Sequence, residues 1–110
     1  MLFGHGSVYW NELTTSDLEA AKTFYAALFG WTYEEIETPA GPYTLARVSD
    51  QPRPVAGLIS WPSEESGADQ WFLYVAVADI DAAVATAATA GGSTTPIYEV
   101  PGVGRFATVV

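Results

Sequence analysis

Asp17-Leu18-Glu19-Ala20-Ala21 and, 62 residues later, Asp79-Ile80-Asp81-Ala82-Ala83 open two stretches of the same design. At that offset Gly30 falls on Gly92, Pro39 on Pro101, and Tyr43-Thr44-Leu45-Ala46-Arg47-Val48 on Arg105-Phe106-Ala107-Thr108-Val109-Val110. Upstream, Trp10-Asn11-Glu12-Leu13 falls on Phe72-Leu73-Tyr74-Val75. A gapless repeat through a strand, a helix and a later strand implies two copies of one supersecondary unit. Copy one covers residues 7–62 and copy two residues 70–110, where Ser49 to Pro62 find no counterpart. The expectation is one pseudosymmetric domain over residues 1–110 with its last strand missing.

Within copy one, Val8 to Thr14 is β-prone and leads into Ser16, an N-cap residue with Glu19 three places on, the pattern of a capping box. Leu18, Ala21, Tyr25 and Leu28 then recur at helical spacing, and Gly30 ends the helix before Trp31. Strands are predicted over residues 32–37, 43–48 and 55–61, separated by Pro39-Ala40-Gly41-Pro42 and Asp50-Gln51-Pro52-Arg53-Pro54. A polar, turn-rich connection over residues 62–70 precedes copy two. There the spacing predicts a strand over 71–77 and a helix capped by Asp79 and stopped by Gly91-Gly92. Strands follow over 95–100 and 105–110, parted by Pro101-Gly102-Val103-Gly104.

Two short helices in a strand-rich chain make an α+β fold: curved mixed sheets around a cleft, with the helices on the outer face. Strand alternation then sorts the side chains. Leu73, Val75 and Val77 form the apolar set expected to meet a helix, leaving Phe72, Tyr74 and Ala76 for the concave side. By the repeat, Trp10, Glu12 and Thr14 share that side, so the cleft between the copies holds three aromatic rings and one carboxylate.

The chain has 110 residues, 49% hydrophobic and 14% aromatic, enough for one packed core. Thirteen acids against four bases give a formal charge of −9. Lys22, Arg47, Arg53 and Arg105 are scattered, so no basic face meets phosphates and nucleic acid is excluded as a partner. An acidic field favours cations or simply keeps the protein soluble. Without cysteine there are no disulfides, thiolate metal sites or cysteine nucleophiles. The N-terminus does not read as a signal peptide, and the apolar run Trp71 to Ala78 is too short to span a bilayer. A soluble cytoplasmic protein, without membrane contact, is the expectation.

Trp10-Asn11-Glu12-Leu13-Thr14-Thr15-Ser16-Asp17, followed by Phe24-Tyr25-Ala26-Ala27-Leu28-Phe29-Gly30-Trp31, resembles the opening of a glyoxalase/bleomycin resistance/dioxygenase (vicinal oxygen chelate) family module. Tyr43-Thr44-Leu45-Ala46-Arg47, Pro54-Val55-Ala56-Gly57 and Val100-Pro101-Gly102-Val103-Gly104-Arg105 are similar to its bacterial branch. The resemblance covers nearly the whole chain and implies paired strand-helix-three-strand units around a cleft. It also implies a range of activities: metal-dependent lyases, isomerases and dioxygenases, but also metal-free proteins that sequester drugs. The family's metal ligands lie on the first and last strands of each copy. Carried over, those positions are Trp10, Phe72 and Gly57, with the fourth on the strand that copy two lacks. An aromatic ring and a glycine cannot ligate a divalent cation.

The expectation is therefore a metal-free, cofactor-free protein that binds an apolar or cationic small molecule with Trp10, Glu12, Phe72 and Tyr74. The alternative is a lyase, isomerase or dioxygenase that is metal-independent or uses other ligands. Glu12 is the candidate general base, and equally a hydrogen-bonded wall residue or counter-charge. His5, the single histidine, reads as a mobile or capping residue rather than a ligand. Glu34, Glu35 and Glu37 read as a solvated strand face. The unpaired sheet edge predicts a homodimer.

Overall fold

The computed structural model describes residues 4–39, 41–61, 69–100 and 103–110. The chain runs β1 (Val8–Thr15), α1 (Leu18–Phe29), β2 (Thr32–Thr38), β3 (Gly41–Arg47), β4 (Ala56–Ser60), β5 (Gln70–Val75), α2 (Ile80–Thr89), β6 (Tyr98–Val100) and β7 (Gly104–Phe106). This is the α+β order expected, strand-helix-three-strand in copy one and strand-helix-two-strand in copy two. The expected connection over residues 62–68, and the turn residues Ala40, Pro101 and Gly102, lie outside the described residues. Two compact units emerge, residues 8–74 and residues 1–7 with 75–110. They do not coincide with the sequence copies, because β5 joins the sheet of copy one.

In the larger unit the sheet order is β2-β3-β4-β1-β5. β3 is antiparallel to β2 and β4, whereas β4 is parallel to β1, with Glu12 opposite Gly57 and Leu13 opposite Leu58. A parallel pair needs a crossover, and α1 with the β2–β3 hairpin supplies it. Leu13, Ala46, Ala56 and Leu58 form the buried core, with Leu18, Ala21 and Tyr25 of α1 packed on it. Fully burying a side chain such as Leu58 stabilises by about 1.5–3 kcal/mol.

α1 starts one residue later than the capping-box reading. Asp17 is the N-cap, its carboxylate accepting from the Ala20 amide at 3.0 Å. Ser16 is drawn elsewhere: its amide and hydroxyl both donate to Asp69, at 3.0 and 3.1 Å. The C-terminus is as predicted, with Gly30 left-handed at φ 73° and its amide bonded to the Ala26 carbonyl.

Leu73 and Val75, expected to be covered by a helix, are exposed. They are 61% and 45% exposed, since β5 is an edge strand and α1 packs over the core built on β1, β3 and β4.

The smaller unit holds α2, capped by Asp79 through the Ala82 amide at 3.1 Å, and the antiparallel β6–β7 hairpin. Its N-terminal segment is tied in by Gly6 and Ser7, which exchange backbone bonds with Ala76 at 2.7 and 2.8 Å. His5 does have a capping role, its Nδ1 accepting from the Ala78 amide at 2.9 Å. β6 and β7 are shorter than predicted. Pro96 has no amide to donate, so regular pairing begins only at Tyr98. Past β7 the chain returns as a single bridge, Thr94 to Val109.

The hairpins also correct the repeat. Thr38 pairs with Gly41, but Val100 pairs with Gly104, so the second turn is one residue longer. Beyond it the offset is 63, and the structural counterpart of Tyr43 is Phe106, not Arg105.

Candidate functional site

β1 alternates, so Leu13 and Thr15 face the core while Trp10 and Glu12 face the other side of the sheet. Directly across the parallel ladder from Glu12 stands Gly57, and beyond it Leu45 on β3. Tyr43, two residues before Leu45, shares that face. Because Gly57 has no side chain, the Tyr43 ring lies over the β4 backbone; a Cβ there would overlap its hydroxyl and ring carbons. The phenol thereby reaches Glu12 and donates to Oε1 at 2.6 Å, while accepting from Trp10 Nε1 at 3.0 Å. From β5, the Tyr74 hydroxyl donates to Glu12 Oε2 at 3.0 Å. Two phenols thus meet on one half-buried carboxylate, and with Trp10 they make a network of four side chains from three strands.

Burial pushes the Tyr43 phenol well above its ordinary value, and the hydrogen bond to Glu12 pushes it further up; the Trp10 indole pulls the other way. Tyr43 is therefore a neutral donor at every physiological pH. Hydrogen bonds to a charged acceptor are worth about 1.5–3 kcal/mol each, so the two phenols fix the position of the Glu12 side chain. The arrangement presents a fixed negative charge beside aromatic faces, a site suited to binding.

Of the residues proposed from sequence, Trp10, Glu12 and Tyr74 are brought together. Phe72 shares the Tyr74 side of β5 by alternation but has no polar atom to enter the network. Thr14 is turned to the Gln70 carbonyl at 3.4 Å. Tyr43 is the residue that sequence reasoning missed. Its signal was Gly57, since a glycine inside a strand marks a close approach of something else. Glu34 pairs with Arg47 at 2.8 Å, and Glu35 and Glu37, which alternate to the other side of β2, are exposed, so the three are solvated but on two faces.

The metal positions implied by the family resemblance do not fit a divalent cation. Trp10 and Phe72 offer rings, Gly57 offers nothing, and the space above Gly57 is filled by Tyr43. Both oxygens of the neighbouring carboxylate accept phenol protons. Among the described residues no group of three or more His, Cys, Asp or Glu is placed to hold a metal, and no helix is long and apolar enough to cross a membrane.

A second carboxylate braces the other side of the sheet, where Leu13 and Thr15 point. Asp69 accepts from the Ser16 amide at 3.0 Å, the Thr15 hydroxyl at 2.9 Å and the Ser16 hydroxyl at 3.1 Å, tying the β1–α1 turn to the start of β5. The Ser16 amide and then the Thr15 hydroxyl hold its carboxyl below the ordinary carboxylate value. A depressed native pKa contributes stability above the unfolded value, lost as pH falls through the native one. Asp69→Asn is accordingly expected to cost stability at neutral pH and to flatten the acid limb below about pH 4, read by urea unfolding across pH. An unchanged acid limb would show the knot to be unimportant.

Comparison with known proteins matches residues 7–109 to the Glyoxalase/Bleomycin resistance protein/Dioxygenase superfamily. The chain is 33% identical over 109 residues to "Putative glyoxylase CFP32" of Mycobacterium tuberculosis, covering 94% of this chain and 41% of that protein. It is 36% identical over 121 residues to the anthracycline biosynthesis proteins DauV of Streptomyces sp. strain C5 and DnrV of Streptomyces peucetius, covering 96% of this chain and 43% of each. The chain thus spans about two fifths of the length of these relatives. With the repeated strand-helix-strand units, the parallel β1–β4 ladder and a family match over nearly its whole length, this chain belongs to the glyoxalase/bleomycin resistance protein/dioxygenase superfamily.

Proposed function

We propose that this module binds a small apolar or cationic molecule without a metal, against the face formed by Trp10, Glu12, Phe72 and Tyr74 with Tyr43. The observation that supports it is the replacement at Gly57. Where the resemblance implies a ligand to a metal there is no side chain, and a neutral phenol occupies the space and clamps a carboxylate. A fixed negative charge flanked by rings attracts positive charge, and a cation over a ring gains roughly 0.5–2 kcal/mol. The names of the two Streptomyces relatives point to anthracyclines, flat fused-ring compounds of the kind that such rings stack on.

The test pairs a cationic anthracycline, daunorubicin, with its uncharged aglycone in a tryptophan-quenching titration. Wild type is expected to favour the amine, Glu12→Gln to lose most of that preference, and Trp10→Phe to lose most of the quenching. Equal binding of both compounds by wild type would overturn the role of Glu12. In parallel, zinc, nickel, manganese or iron is expected to leave the melting temperature unchanged. Stoichiometric uptake with stabilisation would instead favour a metal-dependent lyase, isomerase or dioxygenase.

A further inference from the structure

The Phe24-Tyr25 and Phe29-Gly30-Trp31 stretch of α1 and its exit has a physical meaning separate from the Glu12 face. Tyr25 is stacked with Phe29 at 5.9 Å and packs at 5.4 Å on Trp31, while Phe24 and Trp71 stand across it at interplanar angles of 82° and 75°. The hydroxyl of Tyr25 accepts from Trp71 Nε1 at 3.0 Å, which fixes the corner between α1 and β5. Phe24 and Trp71 remain 58% and 41% exposed, so ring surface is left facing solvent.

Beside this corner lies an open, solvent-facing cavity of about 330 Å³, whose lining includes Leu13, Phe24, Tyr25, Trp71, Asp17 and Asp69. Its volume is at the lower end of small-molecule sites. No lysine, arginine or histidine is among its lining residues. The described ion pairs join Lys22 to Glu19, Arg47 to Glu34 and Arg105 to Asp81, so neither cavity carboxylate is neutralised by one of them. Asp17 and Asp69 are instead held in position by backbone amides and hydroxyls, through Ala20, Thr15 and Ser16. Rings set at right angles with negative charge at the rim are the chemistry that recognises a methylated ammonium, whose diffuse charge meets several ring faces at once.

We infer that the cavity between α1 and the start of β5 is a second binding site, for a small organic cation of the quaternary or methylated ammonium class. It lies on the opposite side of the sheet from Trp10 and Glu12 and stands or falls independently of the reading of that face. Charge complementarity selects this occupant over a neutral apolar one.

The test uses choline and its uncharged carbon isostere 3,3-dimethylbutan-1-ol, followed by two-dimensional amide NMR on the full chain. The four indole resonances are assigned by single Trp→Phe substitutions. Choline is expected to shift the Trp71 indole and the Ser16 and Ala20 amides along one saturable curve, leaving the Trp10 indole in place. The isostere is expected to bind roughly tenfold more weakly or worse, as loss of charge over several rings requires. Trp71→Leu should abolish the shifts at Ser16 and Ala20, and Asp69→Asn should weaken them severalfold. Should either variant fail to fold, the isostere comparison on wild type still decides. Equal binding of the isostere, a choline response at Trp10 instead of Trp71, or no saturable response overturns the proposal. So does a Trp71 signal that broadens with protein concentration and ignores choline, since a second copy would then cover the cavity.

Discussion

Gly57→Ala is expected to be the most damaging single-methyl change in this protein. The added Cβ points into the hydroxyl and ring of Tyr43, so either the β4 backbone shifts or the phenol is driven off the sheet. Overpacking of this kind costs about 1–3 kcal/mol. Ejecting Tyr43 adds the loss of its bonds to Glu12 and Trp10. In a domain of this size each kcal/mol lowers the melting temperature by about 4–8 °C. A double-mutant cycle isolates the cause: with Tyr43→Ala in the background, Gly57→Ala should become nearly neutral, giving a coupling of about 0.5–3 kcal/mol. If alanine at this position costs the same in both backgrounds, the glycine is required for some other reason, and Tyr43 is not what fills the space. Ligand binding at the Glu12 face should fall with Gly57→Ala even at temperatures where the variant remains folded, because the carboxylate has lost one of its two phenol clamps.

A second large effect is expected in alkali. Tyr43 is neutral and donating in the native state, with its phenol raised by burial first and by Glu12 second. The unfolded chain releases that proton near the ordinary value of 10.0, whereas the native state does not. The native state then holds more protons than the unfolded one, so stability is full below about pH 10 and declines as pH rises towards the native pKa. The slope from one such group approaches about 1.4 kcal/mol per pH unit. Tyr43→Phe should remove that part of the slope between about pH 9 and 11 while costing about 1–3 kcal/mol at neutral pH, where the Trp10 indole and Glu12 lose a partner. Tyr33, also raised by burial and by Tyr25, contributes a smaller share, and Tyr33→Phe measures it. An alkaline limb identical in wild type and Tyr43→Phe would show that this phenol is not held as the geometry indicates.

Much of the architecture was readable from the chain. Asp79 can accept from an amide three residues on, and Gly30 is one of the residues that adopts a left-handed cap without strain. These are local effects, decided within a turn of helix, and local effects are what a linear sequence encodes most directly. Period-two alternation likewise placed Trp10, Glu12 and Tyr74 on one face. The repeat announced two units of the same build, and the family resemblance it accompanied is matched over residues 7–109.

What escaped depends on which strand lies beside which. Copy two begins at β5 in sequence, yet β5 bonds to β1 and belongs to the sheet of copy one, a choice made by partners 56 to 62 residues apart. The one-residue-longer β6–β7 turn shifts the second half of the repeat and puts Phe106 where copy one has Tyr43, which no gapless alignment could reveal. Ser16 was a plausible cap until Asp69, distant in sequence, claimed its amide and hydroxyl. Tyr43 is the clearest case. Nothing near it in the chain marks it as part of a site, because its role exists only when β3 is laid against β4 and a glycine leaves the ring room to reach Glu12. Local propensity and periodicity determined the elements and their faces; the register between strands, a property of pairing across the sheet, decided the site.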